Sequence, residues 1–290
     1  MAKDEVFKPS GKLKDFVSAG KAPSRVLTSV ERYYIVHPEI STRRTDVLHP
    51  SAMVKDDWCH RASYFHLLGF PPAEQRVSLS LKRVFQNGHA IHDAWQTMFK
   101  EMGNLWGKYY CKECNDTFFG LPSDHKTDVS NLQYEEVPLV YEPLHIDGHA
   151  DGILLNFGEP LLLEIKSIGA GTFRYEAPGM MYDHNGDLEK MWKALEAPFM
   201  SHIKQAQVYM KIAELSGLAQ QPQEALFLYE NKASQQAKEF VVPKSDFGIS
   251  HIIEGAQLVS DAFDNKTPPT CNIAPTEGCK QCKGYDNVQA

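Results

Sequence analysis

The sequence has no long uncharged apolar run, no internal repeat and no low-complexity tract. Without roughly 18 or more consecutive apolar residues there is no candidate membrane span. The opening stretch, MAKDEVFKPSGKLKDF, lacks the apolar centre of a signal peptide, so the expected location is the cytoplasm. An excess of positive charge is missing too: 30 Lys and Arg stand against 37 Asp and Glu, a net charge of −7. That balance excludes a general polyanion binder. It leaves room for an enzyme that holds cations on carboxylates and meets a polyanion along one basic strip. Residues 1–26, with five lysines and one arginine against three acids, are a candidate basic arm, although a solvated terminus is the simpler reading. Cysteine is scarce, at six residues in 290. In a reducing compartment so few thiols read as metal ligands or buried side chains rather than disulfides.

What is present is ordinary for a chain that buries one sizeable core: 42% hydrophobic and 23% charged residues. Residues 1–45 read as a polar lead-in and 46–290 as one domain. DDWCHRASYFHLLGF and LSLKRVFQNGHAIHDAWQTMFKEMG carry apolar residues at helical spacing. The pattern then breaks into an irregular insert around 105–130, built on a Cys-x-x-Cys. Strands are predicted at YEEVPLVYEPL, HIDGHADGILLNF and PLLLEIKSI, then a long loop from Gly169 to about Asp187. A helix over LEKMWKALEAPFMSHIKQAQVYMKIAELSG follows, divided or bent at Pro198. Two more strands, EALFLYENK and AKEFVVP, precede a closing helix. The tail, 265–290, has few large apolar side chains and needs an outside constraint to be ordered.

LLLEIKSIG, residues 161–169, sets Glu164 and Lys166 on one face of an otherwise apolar strand. If the turn signal NFGE closes an antiparallel hairpin, Asp151 falls opposite Glu164 and His149 opposite Lys166. The four side chains then form one polar cluster. Facing carboxylates repel, and a divalent cation removes that repulsion. Plain alternation, with Leu163 and Ile165 inward and the charges in water, is the competing reading.

An aspartate followed on the next strand by Glu-x-Lys, here Asp151 and Glu164-Ile165-Lys166, resembles the PD-(D/E)XK nuclease superfamily. GHAIH resembles the GxxxH element of its RecB-like branch, with His92 in the ligand position and His89 one turn away. QAQVY resembles the branch's QxxxY element, carried here by Gln205 and Tyr209. The four elements stand in the family's order, and only the proline before the aspartate is absent. The resemblance implies a restriction-endonuclease-like α/β core, a mixed sheet flanked by helices with an N-terminal helical part. It implies that Asp151, Glu164, the Ile165 carbonyl and His92 bind Mg²⁺ or Mn²⁺, hard oxygen donors suiting both and the imidazole leaning towards Mn²⁺. Lys166 is then the catalytic lysine, and Gln205 and Tyr209 hold it or a substrate phosphate. On its own, the Gln205–Tyr209 pair is read more simply as a polar stripe on an amphipathic helix.

Cys59, in CHRASYFHLLG, resembles the CxRxxY start of RecB-like nucleases that carry a four-cysteine iron–sulfur cluster. In that group three further cysteines stand at the C-terminus, here Cys271, Cys279 and Cys282, and the four would hold a 4Fe–4S cluster. The tail spacing departs from the group's usual one. A rival arrangement joins CKEC (111–114) to CKQC (279–282) as one structural Zn²⁺ site on Cys111, Cys114, Cys279 and Cys282. If the iron–sulfur set holds, Cys111 and Cys114 are half of a zinc knuckle, completed by His125 and a further ligand, or bind nothing.

The implied function is that of a metal-dependent DNA nuclease, an exonuclease in phage recombination or DNA end processing, which hydrolyses phosphodiester bonds with a water activated by a divalent metal. Its implied partners are single-stranded DNA or duplex ends and a single-strand-annealing protein, with no membrane. Lys232, in YENK, is a candidate phosphate contact. The alternative is a catalytically silent DNA- or protein-binding module that keeps the fold for its metal cluster.

Overall fold

The computed structural model describes residues 26–37, 44–70 and 78–285. The chain divides into two compact units, one of residues 1–43 with 77–82 and one of residues 44–76 with 83–290. In the smaller unit the described residues form helix α1 (Val26–Val36), whose apolar side chains Val26, Leu27, Ile35 and Val36 are exposed. The candidate basic arm lies outside the described residues as far as residue 25.

The larger unit opens with α2 (Pro50–Met53), α3 (His60–Leu67) and, from Arg83 onward, α4 (Leu79–Glu101). Strands β1 (Leu105–Cys111), β2 (Thr117–Gly120), β3 (Leu132–Glu135), β4 (Val137–Tyr141), β5 (Ile146–Ala150), β6 (Gly152–Leu154) and β7 (Leu161–Ile168) follow. Short helices α5 (Ala170–Glu176), α6 (Pro178–Asp183) and α7 (Leu188–Ala194) lead into α8 (Met200–Leu215). The chain continues through β8 (Glu224–Asn231), β9 (Ala237–Pro243) and α9 (Ser250–Asp264). Seven strands make one sheet in the order β2-β1-β6-β7-β8-β9, with β3 also on β1, while β4 and β5 pair separately. Only β7 and β8 run parallel, so the sheet is mixed. Among the described residues no helix is long and apolar enough to cross a membrane.

The central strands are apolar on both faces because both are covered. Leu161, Leu163, Ile165, Leu226 and Leu228 cluster with Ile91, Trp95 and Phe99 of α4. Leu162, Ala225, Phe227 and Tyr229 cluster with Trp192 of α7 and Val208, Tyr209 and Ile212 of α8. The expected mixed sheet flanked by helices is therefore present. Glu164 and Lys166 share the second face and lie under helix rather than in water, so simple inside–outside alternation does not describe β7. Pro198 divides the long helix as expected: α7 ends at Ala194 and α8 starts at Met200.

Three readings need correction. The stretch from 105 is not an irregular insert: β1 is a full strand of the main sheet and pairs with β2, β3 and β6. Its Gly107 breaks the apolar pattern because a side chain there would meet the Tyr134 ring at 2.6 Å. The loop after Gly169 contains α5 and α6. The hairpin keeps the expected register (Gly152 opposite Leu163, Ile153 opposite Leu162), its turn formed by Asn156 and Gly158 at φ 70° and 102°. The pairing stops at Asp151, however. β5 leaves to pair with β4, which puts His149 opposite Pro138 and exposed, away from Lys166.

Candidate metal and phosphate site

The change of sheet at Asp151 builds the site. Asp151 Oδ2 accepts the Ile165 amide at 2.5 Å, so a side chain takes the place of the next rung of the ladder. The Asp151 carbonyl accepts from Gln96 Nε2 of α4 and from the Tyr134 hydroxyl, both at 2.9 Å. Two bonds to its carbonyl and one to its carboxylate hold this residue, at 7% exposure, where the two sheets part. Ile165 thus meets Asp151 through its amide.

His92, on α4, places Nδ1 3.2 Å from Asp151 Oδ1. His89, one turn earlier, is exposed. Glu136, between β3 and β4, completes a group in which one donor atom each from His92, Glu136 and Asp151 lie within 4.8 Å of one another. Glu164, at 2% exposure, is engaged with Lys166, whose ammonium contacts Glu164 Oε1. Three carboxylates and two bases therefore meet here, and the negative charge is in excess. That excess helps raise Glu164, Glu136, Lys166 and His92. Burial, with Asp151 adding to it against the pull of Lys166, pushes the Glu164 carboxyl up to about 7. Glu136 is raised by burial and by Asp151, although its exposure to solvent blunts the effect. Burial works against the charged forms of Lys166 and His92, but neighbouring carboxylates outweigh it and hold both above their ordinary values. A cluster that draws in protons in this way also suits a divalent cation, and one imidazole with two carboxylates is a donor set for Mn²⁺ or Mg²⁺.

α8 covers this cluster from the other side. Gln205 Nε2 donates to the Tyr209 hydroxyl at 3.0 Å, and burial holds the phenol in its neutral form. Gly148 makes room for that ring, since a Cβ there would lie 2.8 Å from Tyr209 Cε1. Lys166 and Gln205 also line an open cavity of about 580 Å³, with Lys55, His202, Lys204, Asp56, Asp57 and Glu176 on its walls. The Phe199 amide donates to the Tyr229 hydroxyl, whose own proton is then directed to His202 Nδ1 at 2.5 Å. This assigns the His202 hydrogen to Nε2. Burial, with Lys166 nearby, pushes the ring down to about 3, so it stays neutral.

Glu136 and His202 were not among the residues singled out by sequence. His202 had a signal, standing one helical turn before Gln205. Glu136 had only the doubled acid in YEEVPLV. Lys232 sits apart, half-buried, its Nζ 3.5 Å from the Val84 carbonyl.

The tail is fixed at α3. Cys59 caps that helix, its sulfur accepting the Ala62 amide at 3.4 Å, and lies 3.8 Å from Cys271 Sγ. The sulfurs of Cys59, Cys271, Cys279 and Cys282 all lie within 4.8 Å of one another, and the amides of Ala274 and Cys279 donate to Cys271 and Cys282. Four buried or half-buried thiols supplied with N–H donors fit a metal centre. The Cys59–Cys271 separation of 3.8 Å equals the roughly 3.8 Å edge of a tetrahedron with sulfur bonds of about 2.3 Å. The rival zinc set is not assembled: Cys111 and Cys114 group with His125, apart from Cys279 and Cys282. Cysteine is not the tail's only anchor. Asn272 bonds the His60 amide and the Trp58 carbonyl, and Tyr285 stacks on Phe65 at 4.8 Å.

No protein-family model matches the chain, and no curated protein matches it. Solved structures similar to it include LHK-Exo in complex with dAMP, at 13% identity over 77% of this chain and 90% of that one, with a TM-score of 0.43. The alkaline exonuclease LHK-Exo from Laribacter hongkongensis aligns at 14% identity over the same shares, 77% and 90%, with a TM-score of 0.42. SSO0001 aligns at 11% identity over 81% of this chain and 87% of its own, with a TM-score of 0.36. Likeness at this level carries no argument about the reaction.

Proposed function

We propose that the chain is a metal-dependent DNA nuclease of the PD-(D/E)XK type, acting at DNA ends. The observation that carries this reading is the excess of carboxylate at Asp151, Glu136 and Glu164, the first and last of them buried, set beside a lysine that opens onto a cavity whose walls also carry Lys55 and Lys204. His92, Glu136 and Asp151 hold the cation, and Glu164 holds Lys166 in place. When bound, Mg²⁺ or Mn²⁺ supplies a Lewis acid for the phosphoryl oxygen and lowers the pKa of a water. Lys166, kept charged by its carboxylate neighbours, stabilises negative charge as it develops on the phosphate. Gln205, Tyr209 and the Nε2–H of His202 offer hydrogen-bond donors along the same wall and orient the strand. The four-thiolate centre clasps the tail to α3 and takes no part in the chemistry. An iron–sulfur cluster is what the upstream cysteine's context implies for it.

A silent binding module has no use for a half-buried lysine set against the two buried acids Asp151 and Glu164, where each charge costs desolvation. DNA incubated with the protein and Mn²⁺ should release acid-soluble nucleotides, and EDTA should stop the release. Intact DNA after prolonged incubation with either Mn²⁺ or Mg²⁺ would remove the proposal.

A further inference from the structure

One group of metal-type ligands belongs neither to the carboxylate site nor to the tail. Cys111, Cys114 and His125 place two sulfurs and a ring nitrogen within 4.8 Å of one another. Cys114 Sγ and His125 Nε2 are 3.2 Å apart. We propose that these three residues form a separate zinc site of the Cys2His kind, with water as the fourth ligand on its exposed side.

The backbone prepares the two sulfurs. β1 ends at Cys111, whose amide bonds the Asp116 carbonyl at 2.8 Å while its carbonyl accepts Asn115 N at 2.9 Å. Asn115 turns the chain at φ 61°, and the Tyr110 hydroxyl donates to its side chain at 2.7 Å. The tight turn thereby brings the two sulfurs within 4.8 Å of each other, with Cys114 also against His125.

His125 is brought in independently. The short 3-10 turn Pro122–Asp124 delivers it, and Asp124 Oδ2 secures the turn by accepting the Leu121 amide at 2.7 Å. The ring stacks on Phe118 at 4.9 Å and 16°, which sets the direction of Nε2. Behind it, Thr127 and Asn131 both donate to Glu113 Oε2, at 2.5 and 3.3 Å, and tie the 121–131 segment to the cysteine turn. Two soft thiolates with one imidazole suit Zn²⁺, which accepts mixed sulfur and nitrogen ligands. A Cys111–Cys114 disulfide would leave the placement of His125 without a purpose.

The site is independent of the nuclease reading, so its test is metal content rather than cleavage. Zinc should be measured in the full chain for wild type, Cys111→Ser, His125→Asn and Cys59→Ser. Wild type should hold one more zinc equivalent than Cys111→Ser or His125→Asn, and Cys59→Ser should retain that equivalent. Equal zinc in wild type and His125→Asn would overturn the proposal. A second readout needs no variant. Zinc added to chelator-treated wild type should slow alkylation of the exposed Cys114 by about tenfold or more, because a metal-bound thiolate is a poor nucleophile. Alkylation of Cys114 at an unchanged rate would overturn the proposal too.

Discussion

Asp151 carries more of the account than any other residue, since it ends one strand pairing and supplies the central carboxylate. Asp151→Ala and Lys166→Ala should each lower cleavage by about 100-fold or more while the fold persists, as loss of a metal ligand or of a charge-stabilising group does. Circular dichroism and a nucleotide-release assay check both points. His92→Ala should weaken Mn²⁺ binding, whereas the exposed His89 should tolerate alanine; calorimetric titration ranks them, and the reverse order would move the ligand role. Glu164 gives the pH dependence. Burial raises its carboxyl from an ordinary 4.5 to about 7 in the folded chain, so its favourable contribution is complete below the lower value and fades as pH rises through the upper one. Ionised Glu164 adds negative charge beside the cation held by His92, Glu136 and Asp151, so Mn²⁺ affinity should climb across neutral pH and Glu164→Gln should flatten the climb. At this scale the sequence was informative where motif spacing carries chemistry: His92, Asp151, Glu164, Lys166, Gln205 and Tyr209 come to one region. It was silent on Glu136, because no local pattern tells which residue between two strands a distant aspartate will meet.

Among the elements, the β6–β7 hairpin could be read in advance because NFGE needs left-handed residues and apolar partners set the register. The departure of β5 could not, since it depends on Asp151 intercepting the Ile165 amide fourteen positions away. β1 was obscured by Gly107 and by the Cys-x-x-Cys that follows it. Gly148 joins strand to helix: Gly148→Ala forces the Tyr209 ring to move, at a cost of about 1–3 kcal/mol for overpacking. It should also loosen the Gln205–Tyr209 bond, lowering activity more than stability alone explains. Thermal melting paired with cleavage rates separates the two effects, and a variant matching wild type in both would show that the contact relaxes freely.

For the molecule as a whole, the cysteines join residues more than two hundred positions apart, and closing so long a loop constrains the unfolded chain. Substituting Cys59, Cys271, Cys279 or Cys282 should lower the melting temperature and remove the metal. If the metal is an iron–sulfur cluster, anaerobically purified protein absorbs broadly near roughly 400 nm. Colourless protein with zinc on these four residues would replace the cluster by a single ion, in line with the 3.8 Å between Cys59 and Cys271, and leave the clasp intact. The pairing of Cys59 with the tail was visible in advance through the context of CHRASYFHLLG, while the Tyr285–Phe65 stack was not. The central claim, that the carboxylate cluster cleaves DNA, is tested most directly with end-labelled single-stranded and duplex DNA in Mn²⁺, comparing wild type with folded Asp151→Asn. The account predicts label released from the ends by wild type and none by the variant. Equal cleavage by both proteins, or by neither, would contradict it.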